Sequence, residues 1–446
     1  MATYSGGSIS ANGTRTPGVS ATDFHSRRLF DFSDRIADLQ PDESPFFVYL
    51  SKVGKVPTSD SQFRFLEDRT KVAITDRAFL AQAAFTAAAV GSTVSATFDT
   101  TGGASVDWLI PGMVIAVGTV DTGTAQPEWC TVRIESVVDS GVYSTAQVRT
   151  IAKASAAALT VPDNAKCTVV GTSFEEGTGA PDVWSQKLEN DYGYTQIFKT
   201  AAEMTNTSRA TVYRGYADEW QRIWNLKLRE HKVDIERAML FGMRGQTNGI
   251  SYTDGVVGHI IANSQAQLAD EAQVSYASDK GYLKTITAAN WTYDSLLSDF
   301  EVIYDPARGG TSSKLGLASL PVISHFNKLG SGSFVNGTIS DPLQYNFERS
   351  QGSFGHKIMK IETIHGDLSM VKEPLFRGQS AGFLALVDLD HVSYRPLVGN
   401  GINRDTSITT NVQQADEDLR KDLILTEAGL EVSLPETHAL IHLQGV

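Results

Sequence analysis

The residues of this chain that draw attention for chemistry are nine histidines, two cysteines and the aspartates of LVDLDH. The histidines are His25, His231, His259, His325, His356, His365, His391, His438 and His442. A zinc hydrolase needs two histidines one helical turn apart with a glutamate between them. Neither that HExxH motif nor an HxH pair occurs. His438 and His442 are four apart but follow Pro435, so they read as core or solvated histidines rather than metal ligands. Asp388 and Asp390 in LVDLDH could form a general acid–base pair. In an alternating strand both point to one face, and the plainer expectation is a strand end meeting solvent or an ion pair with Arg395. Cys130 and Cys167 have no second Cys or His at ligand spacing. They read as free, mostly buried thiols, with a disulfide across paired strands as the alternative. The chain has no GxxxxGK[ST] phosphate loop and no GxGxxG after a strand. The glycine-rich stretches at 245–249 and 330–337 read as loops. No catalytic residue, metal ligand or cofactor site is expected.

The aromatic residues lie elsewhere, on a segment that must be structural. From Arg209 to Phe241, Val212, Tyr216, Trp220, Ile223, Trp224, Leu228, Ile235 and Met239 recur three or four apart, with charged residues between them. That spacing predicts one helix over 209–241 with a single apolar stripe, about 50 Å long at 1.5 Å per residue. Such a helix needs something extended to lie against, and its aromatics read as core or subunit contacts rather than a stacking platform.

Composition narrows the function classes. The chain has 446 residues, 41% of them hydrophobic and 20% charged, with a net charge of −13. A protein whose main task is gripping phosphate needs a basic surface. No apolar run is long enough to span a membrane, LIPGMVIAV at 109–117 being strand-sized. The N-terminal residues lack the basic and apolar regions of a secretory signal, which predicts a protein made and first used in a cytoplasm.

Residues 1–22 are Gly, Ser, Thr and Ala with little apolar content. Leu29, Phe32, Ile36 and Leu39 predict a short amphipathic helix that Pro41 ends, and Phe46, Phe47 and Leu50 a second apolar turn. QFRFLED (62–68) alternates as a strand with Phe63 and Phe65 on one face. Residues 81–172 are poor in charge and rich in Ala, Thr, Val and Gly. Strand-like runs at 93–98, 113–117, 129–138, 143–151 and 165–170 predict a small antiparallel barrel or sandwich set into a longer loop. QIFKT (196–200) reads as an arm running back, with helix ends at Gly242 and Gly245. Helices over 293–304 and 321–329 and strands over 316–321, 357–363 and 383–389 follow, and 422–434 reads as a long antiparallel strand pair.

The order of these parts resembles tailed-phage major capsid proteins of the Hong Kong-type shell fold, in the subgroup with a β-domain inserted in the extended loop. QFRFLED is similar to the outgoing strand of that loop, and WLIPGMV (108–114) and EWCTV (128–132) to its insert. EEGTGAP and QIFKTAAEMTNTSRAT (196–211) resemble the return strand, IERAMLFG (235–242) and TDGVVGHI (253–260) the helix end and the crossing after it. KDLILTEAGLEVSLPETHALIHL (421–443) resembles the closing strands. The resemblance implies an α+β fold. Its parts are an N-terminal arm (1–56), an extended loop (57–205) carrying the β-domain (81–172), and a peripheral domain (206–289) with a spine helix (209–241). An axial domain (290–415, with peripheral strands near 355–375) and closing strands (416–446) complete it. It implies self-assembly into hexamers and pentamers of an icosahedral virion shell, built in the host cytoplasm around double-stranded DNA that it does not read. It also implies a separate scaffolding protein, a portal protein and, as an optional partner, a decoration protein. Phe46, Phe47, Phe63, Phe65 and Phe198 are the expected contacts between subunits. Tyr216, Trp220, Ile223, Trp224, Leu228, Ile235 and Met239 are the expected packing residues of the spine helix. The alternative is an adhesin or receptor-binding structural protein with 81–172 as its ligand module.

Overall fold

The computed structural model describes residues 46, 50, 55–68, 78–99, 106, 108–118, 129–153, 158–181, 188–213, 218–264, 281–335, 347–351 and 357–445. Phe47, Tyr216 and the expected helix over 29–39 lie outside the described residues.

Strand β1 (Gln62–Glu67) opens a two-stranded antiparallel ribbon whose other strand comes back over a hundred residues later. Between them lie β2 (Ala78–Ala81), β3 (Phe85–Ala87), β4 (Thr93–Asp99), β5 (Met113–Gly118), β6 (Trp129–Asp139), β7 (Ser144–Lys153), β8 (Leu159–Val161) and β9 (Lys166–Thr172). Six of them close a barrel in the order β2-β4-β7-β6-β5-β9, and β3 pairs with β8. The alternating burial of β6 and β7 puts Val132, Ile134, Ala146 and Val148 inside. Phe79, Phe98, Phe85 and Trp108 fill the interior edge to face, with centroids 5.1 to 6.2 Å apart. Cys130 and Cys167 are free and buried there. Both are in register with Val117, on the strands either side of it. Two strand spacings, about 10 Å, exceed the reach of a disulfide.

The ribbon returns as β10 (Glu189–Tyr194), and β11 (Gln196–Thr205) follows it. Helix α1 (Asn206–Ala210) ends at Thr211, which is extended, and α2 (Glu219–Phe241) starts afresh. The single helix expected over 209–241 is therefore two. The Asp218 side chain accepts the N–H groups of Trp220 and Gln221 at 3.0 and 3.2 Å, and an N-cap of this kind starts a helix rather than continuing one. The 23-residue α2 is about 35 Å long. It ends at Gly242, whose φ of −58° is not the positive value expected of a terminal glycine. Glycine is needed there for close approach, since a Cβ would stand 2.6 Å from the Thr253 carbonyl oxygen. The 245–249 loop is a hairpin turn between β12 (Gly245–Thr247) and β13 (Ile250–Tyr252), with Asn248 and Gly249 at positive φ. Helix α3 (Val256–Ser264) packs against α2.

The rest of the chain builds a mixed seven-stranded sheet. Its strands are β14 (Tyr282–Thr287), β15 (Ser313–Ala318), β16 (Phe347–Gln351), β17 (Lys357–Glu362), β18 (Asp367–Lys372) and β19 (Phe383–Val387), with the last strand of the chain as the seventh. Helices α4 (Tyr293–Ile303) and α5 (Leu320–Val335) lie between them in sequence; α5 runs on through Gly330, where a loop was expected. Next, β20 (Val392–Pro396), β21 (Val398–Gly399), β22 (Ile402–Asn403) and β23 (Ser407–Thr409) lead to β24 (Leu419–Val432). The expected strand pair over 422–434 is this one continuous strand of 14 residues, flanked by β11 and β20. After it the chain turns at Leu434, at positive φ, and enters the large sheet as β25 (Ala439–Gln444).

That sheet is apolar on both faces. Along β19, Ala385 and Val387 join the core shared with Ile235, Met239, Val257 and Ile260, while Leu384 and Leu386 join the core under Phe300, Val322 and Phe326. Strand β25 divides its residues the same way. Two-faced burial explains why FLALV and ALIHL read as unbroken apolar runs. The sheet takes β14 from 206–289, β15 to β19 from 290–415 and β25 from 416–446, so those boundaries do not separate independently packed units.

Along α2 the stripe deepens toward its C-terminus. Trp220, Ile223, Trp224 and Leu228 are half-buried, and Ile235 and Met239 are buried. Ile235→Ala is expected to cost about 2–5 kcal/mol and Ile223→Ala less than half as much, measured by urea unfolding of the isolated chain; equal costs would contradict this gradient.

Candidate functional site

The acid pair singled out in the sequence is not a catalytic pair. Asp388 caps a short helical turn instead of continuing β19, and it is buried rather than meeting solvent. Its Oδ2 accepts the Thr311 N–H at 2.7 Å and its Oδ1 the Asp390 N–H at 3.1 Å. Its ionic partner is Lys314, 3.8 Å away and equally buried. Arg395, the expected partner, pairs with Glu431 instead. Lys314 also donates to the Thr437 carbonyl at 2.6 Å. Burial holds the Lys314 ammonium below its usual range despite Asp388. Burial alone would raise the Asp388 carboxyl, but the Thr311 N–H, Lys314 and the Asp390 N–H outweigh it and leave it lowered. Every member of this cluster is satisfied from within the chain, so it fastens β15 and β19 to the turn before β25 and has no substrate face.

His231, His259 and His438 are likewise buried. His438 accepts the Asp388 N–H at its Nδ1 (3.1 Å), and burial, helped by Lys314 and His259, pushes its pKa down to about 3. His231 bridges Thr200 and Thr426, at 2.9 and 2.8 Å, and ties α2 to β11 and β24. Burial lowers its pKa too. Burial raises the Cys130 thiol and pushes Cys167 up to about 12, so neither is a nucleophile. Among the described residues no group of three or more His, Cys, Asp or Glu is placed to hold a metal ion, and no helix is long and apolar enough to cross a membrane.

What the structure offers for function is surface, and the ribbon is its clearest part. On one face of the ribbon, Phe63 packs on Gly193 and Gly429 under the Arg395 guanidinium. On the same face Glu67 accepts the Leu434 N–H at 2.7 Å. A Cβ at Gly193 would sit 2.4 Å from the Phe63 ring. Arg244 holds the return strand, donating to Asp191 and to the Tyr192 carbonyl (2.7 Å) and stacking on the Tyr192 ring. The opposite face carries Arg64, Leu66, Tyr192 and Leu188; Leu66 is 67% exposed. A second surface is a groove of about 890 Å³ beside the end of α2, lined by Phe241, Met243, Tyr252, Ile261, Leu375 and Phe383, with Arg237 and Arg377.

Three of the five expected subunit contacts are therefore corrected. Phe46, Phe63 and Phe198 are buried within the chain's own body, the first with its N–H on Glu236 at 2.9 Å. Their apolar surface is already spent on their own subunit. Phe65 is half-buried on the same inner face as Phe63. Sequence reasoning missed the outer face, with Leu66 and Tyr192, and the clamp at Arg244. The alternation of QFRFLED marks two faces but not which one the body covers.

A family model described as SU10 major capsid protein matches residues 11–444. Among solved structures, a chain from Mycobacterium phage Bobi is similar at 9% identity, covering 96% of this chain and 100% of that one, with a TM-score of 0.45. A chain of the capsid of Myoviridae phage XM1 is similar at 8% identity, covering 96% and 100%, with a TM-score of 0.43. A chain of the capsid of the native GTA particle is similar at 9% identity, covering 96% and 99%, with a TM-score of 0.44. No curated protein matches the chain.

Folding should be acid-sensitive through His438. Its folded pKa of about 3 lies below the ordinary 6.5. Its contribution is complete above about 6.5 and is lost as pH falls toward about 3, because only the unfolded chain takes up the proton. The expected slope from this residue is at most about 1.4 kcal/mol per pH unit. Urea midpoints across that range should fall less steeply in His438→Gln than in the wild type; identical slopes would contradict the assignment.

Proposed function

This chain belongs to the SU10 major capsid protein family, and on that premise we propose that its copies assemble into the hexamers and pentamers of an icosahedral phage head that encloses double-stranded DNA. The observation that carries the reading is the ribbon with its barrel. A lone two-stranded ribbon is marginal in water, and among the described residues this one packs chiefly one face on its own body, the other meeting the Arg244 guanidinium at Tyr192. The outer face, with Leu66, Tyr192 and Leu188, supplies apolar surface for a neighbouring copy. At about 25 cal/mol per Å², an obligate interface of over about 2,000 Å² outweighs the cost of ordering such an extension. Closed rings of head-to-tail contacts then give the symmetry.

In this reading 1–56 is the arm, 57–205 the extended loop with the barrel as its insert, α2 the spine helix, and 290–415 the axial region. The apolar groove beside α2 is a second contact between copies. The net charge of −13 suits a wall that surrounds DNA without adhering to it. A separate scaffolding protein, a portal and an optional decoration protein are the partners, and assembly takes place in the host cytoplasm. The family match spans the barrel and the body alike, which favours a shell subunit over an adhesin built on the barrel.

The test is electron microscopy of the purified protein, alone and with its scaffolding protein. Wild type should form rings or shells. Leu66→Asp, at a site 67% exposed, should keep its circular dichroism and melting temperature yet lose at least about tenfold in assembled particles, the equivalent of about 1.4 kcal/mol. Wild type that stays monomeric with scaffold present, or shells of Leu66→Asp at normal yield, would overturn the proposal.

A further inference from the structure

His259 and His438 are buried, and on each ring Nε2 has no hydrogen-bond partner among the described residues. The other nitrogen of each ring decides which Nε2 carries a hydrogen. His259 Nδ1 lies 2.7 Å from Asp254 Oδ2. A carboxylate oxygen accepts, so Nδ1 donates, and Nε2 of the neutral ring is a bare lone pair. His438 Nδ1 lies 3.1 Å from the backbone nitrogen of Asp388. A backbone N–H can only donate, so Nδ1 accepts, and the neutral ring carries its hydrogen on Nε2. With both rings neutral, one orphan atom is thus an acceptor and the other a donor.

The two rings belong to touching elements. Helix α3, which carries His259, packs on the turn Pro435–Thr437 and on β25, and His438 stands between those two. His259 is also one of the groups whose charge His438 senses. His231, a third buried histidine, has both ring nitrogens bonded to threonine hydroxyls, so an open imidazole nitrogen is not the habit of this core. Buried polar atoms with complementary needs are commonly joined by one ordered water.

We propose that a single buried water molecule accepts the Nε2–H of His438 and donates to Nε2 of His259, joining helix α3 to the turn that launches the last strand of the large sheet. A metal ion in the same place would need a lone pair from both rings. His438 Nε2 has none to offer while its Nδ1 accepts the Asp388 N–H.

The tautomers and the water can be read directly. Full-length protein labelled with ¹⁵N-histidine, sedimented in whatever assembly it forms, is measured by solid-state NMR, with His259→Phe and His438→Phe assigning the signals. The expected result is a hydrogen bonded to Nε2 of His438, a bare Nε2 on His259, and magnetisation transfer from bound water to both. Reversed tautomers, or no transfer from water, would overturn the proposal. A density map fine enough to show water needs no variant, should either substitution prevent folding. A peak about 3 Å from both Nε2 atoms supports the site. An absent peak, or one removed by a chelator, overturns it.

Discussion

A sheet with two apolar faces has to be covered twice, and that requirement organises the body of this subunit. Strands β15, β18, β19 and β25 of the seven-stranded sheet send side chains into two different cores. One core is closed by α2 and α3, the other by α4 and α5. Because β25 sits second from one edge of the sheet, the last residues of the chain complete what residues near 282 and 315 begin. The buried Lys314–Asp388 pair and His438 cluster at the turn leading into that strand. The polar groups of this cluster are tied to backbone, which offsets the cost of burying them.

The ribbon obeys the opposite rule. It has one covered face and one open face, and it is held to the body by a few directed contacts: Phe63 on two glycines, Glu67 on the Leu434 N–H, and Arg244 on Asp191 and Tyr192. That open face is the surface which the proposed function gives to a neighbouring copy.

Much of this was legible in the sequence where a period could run for several residues. The alternation of Gln62–Glu67 and of the longer barrel strands showed as strands, and the three- and four-residue spacing of Ile235 and Met239 showed as helix. Legibility failed where the deciding partner is remote in sequence. Strands β2, β3 and β8 are three or four residues long, too short to display a period. The apolar stripe of the sequence runs on through Val212 and Tyr216, but the Asp218 cap restarts the helix. Phe46, Phe63 and Phe198 were read as outward because bulk alone does not reveal that Glu236, Gly193 and β24 are waiting for them. Asp388 looked exposed because Lys314, seventy-four positions earlier, was not visible as its partner.

In the barrel, β2 and β9 are hydrogen-bonded neighbours, with Phe79 opposite Cys167. The chain therefore enters and leaves this module at one spot, and everything inside it is joined to the ribbon by only two crossings. Modules whose ends lie together are tolerated as insertions. A change in the size of this one therefore need not disturb the pairing of the ribbon or the sheets of the body.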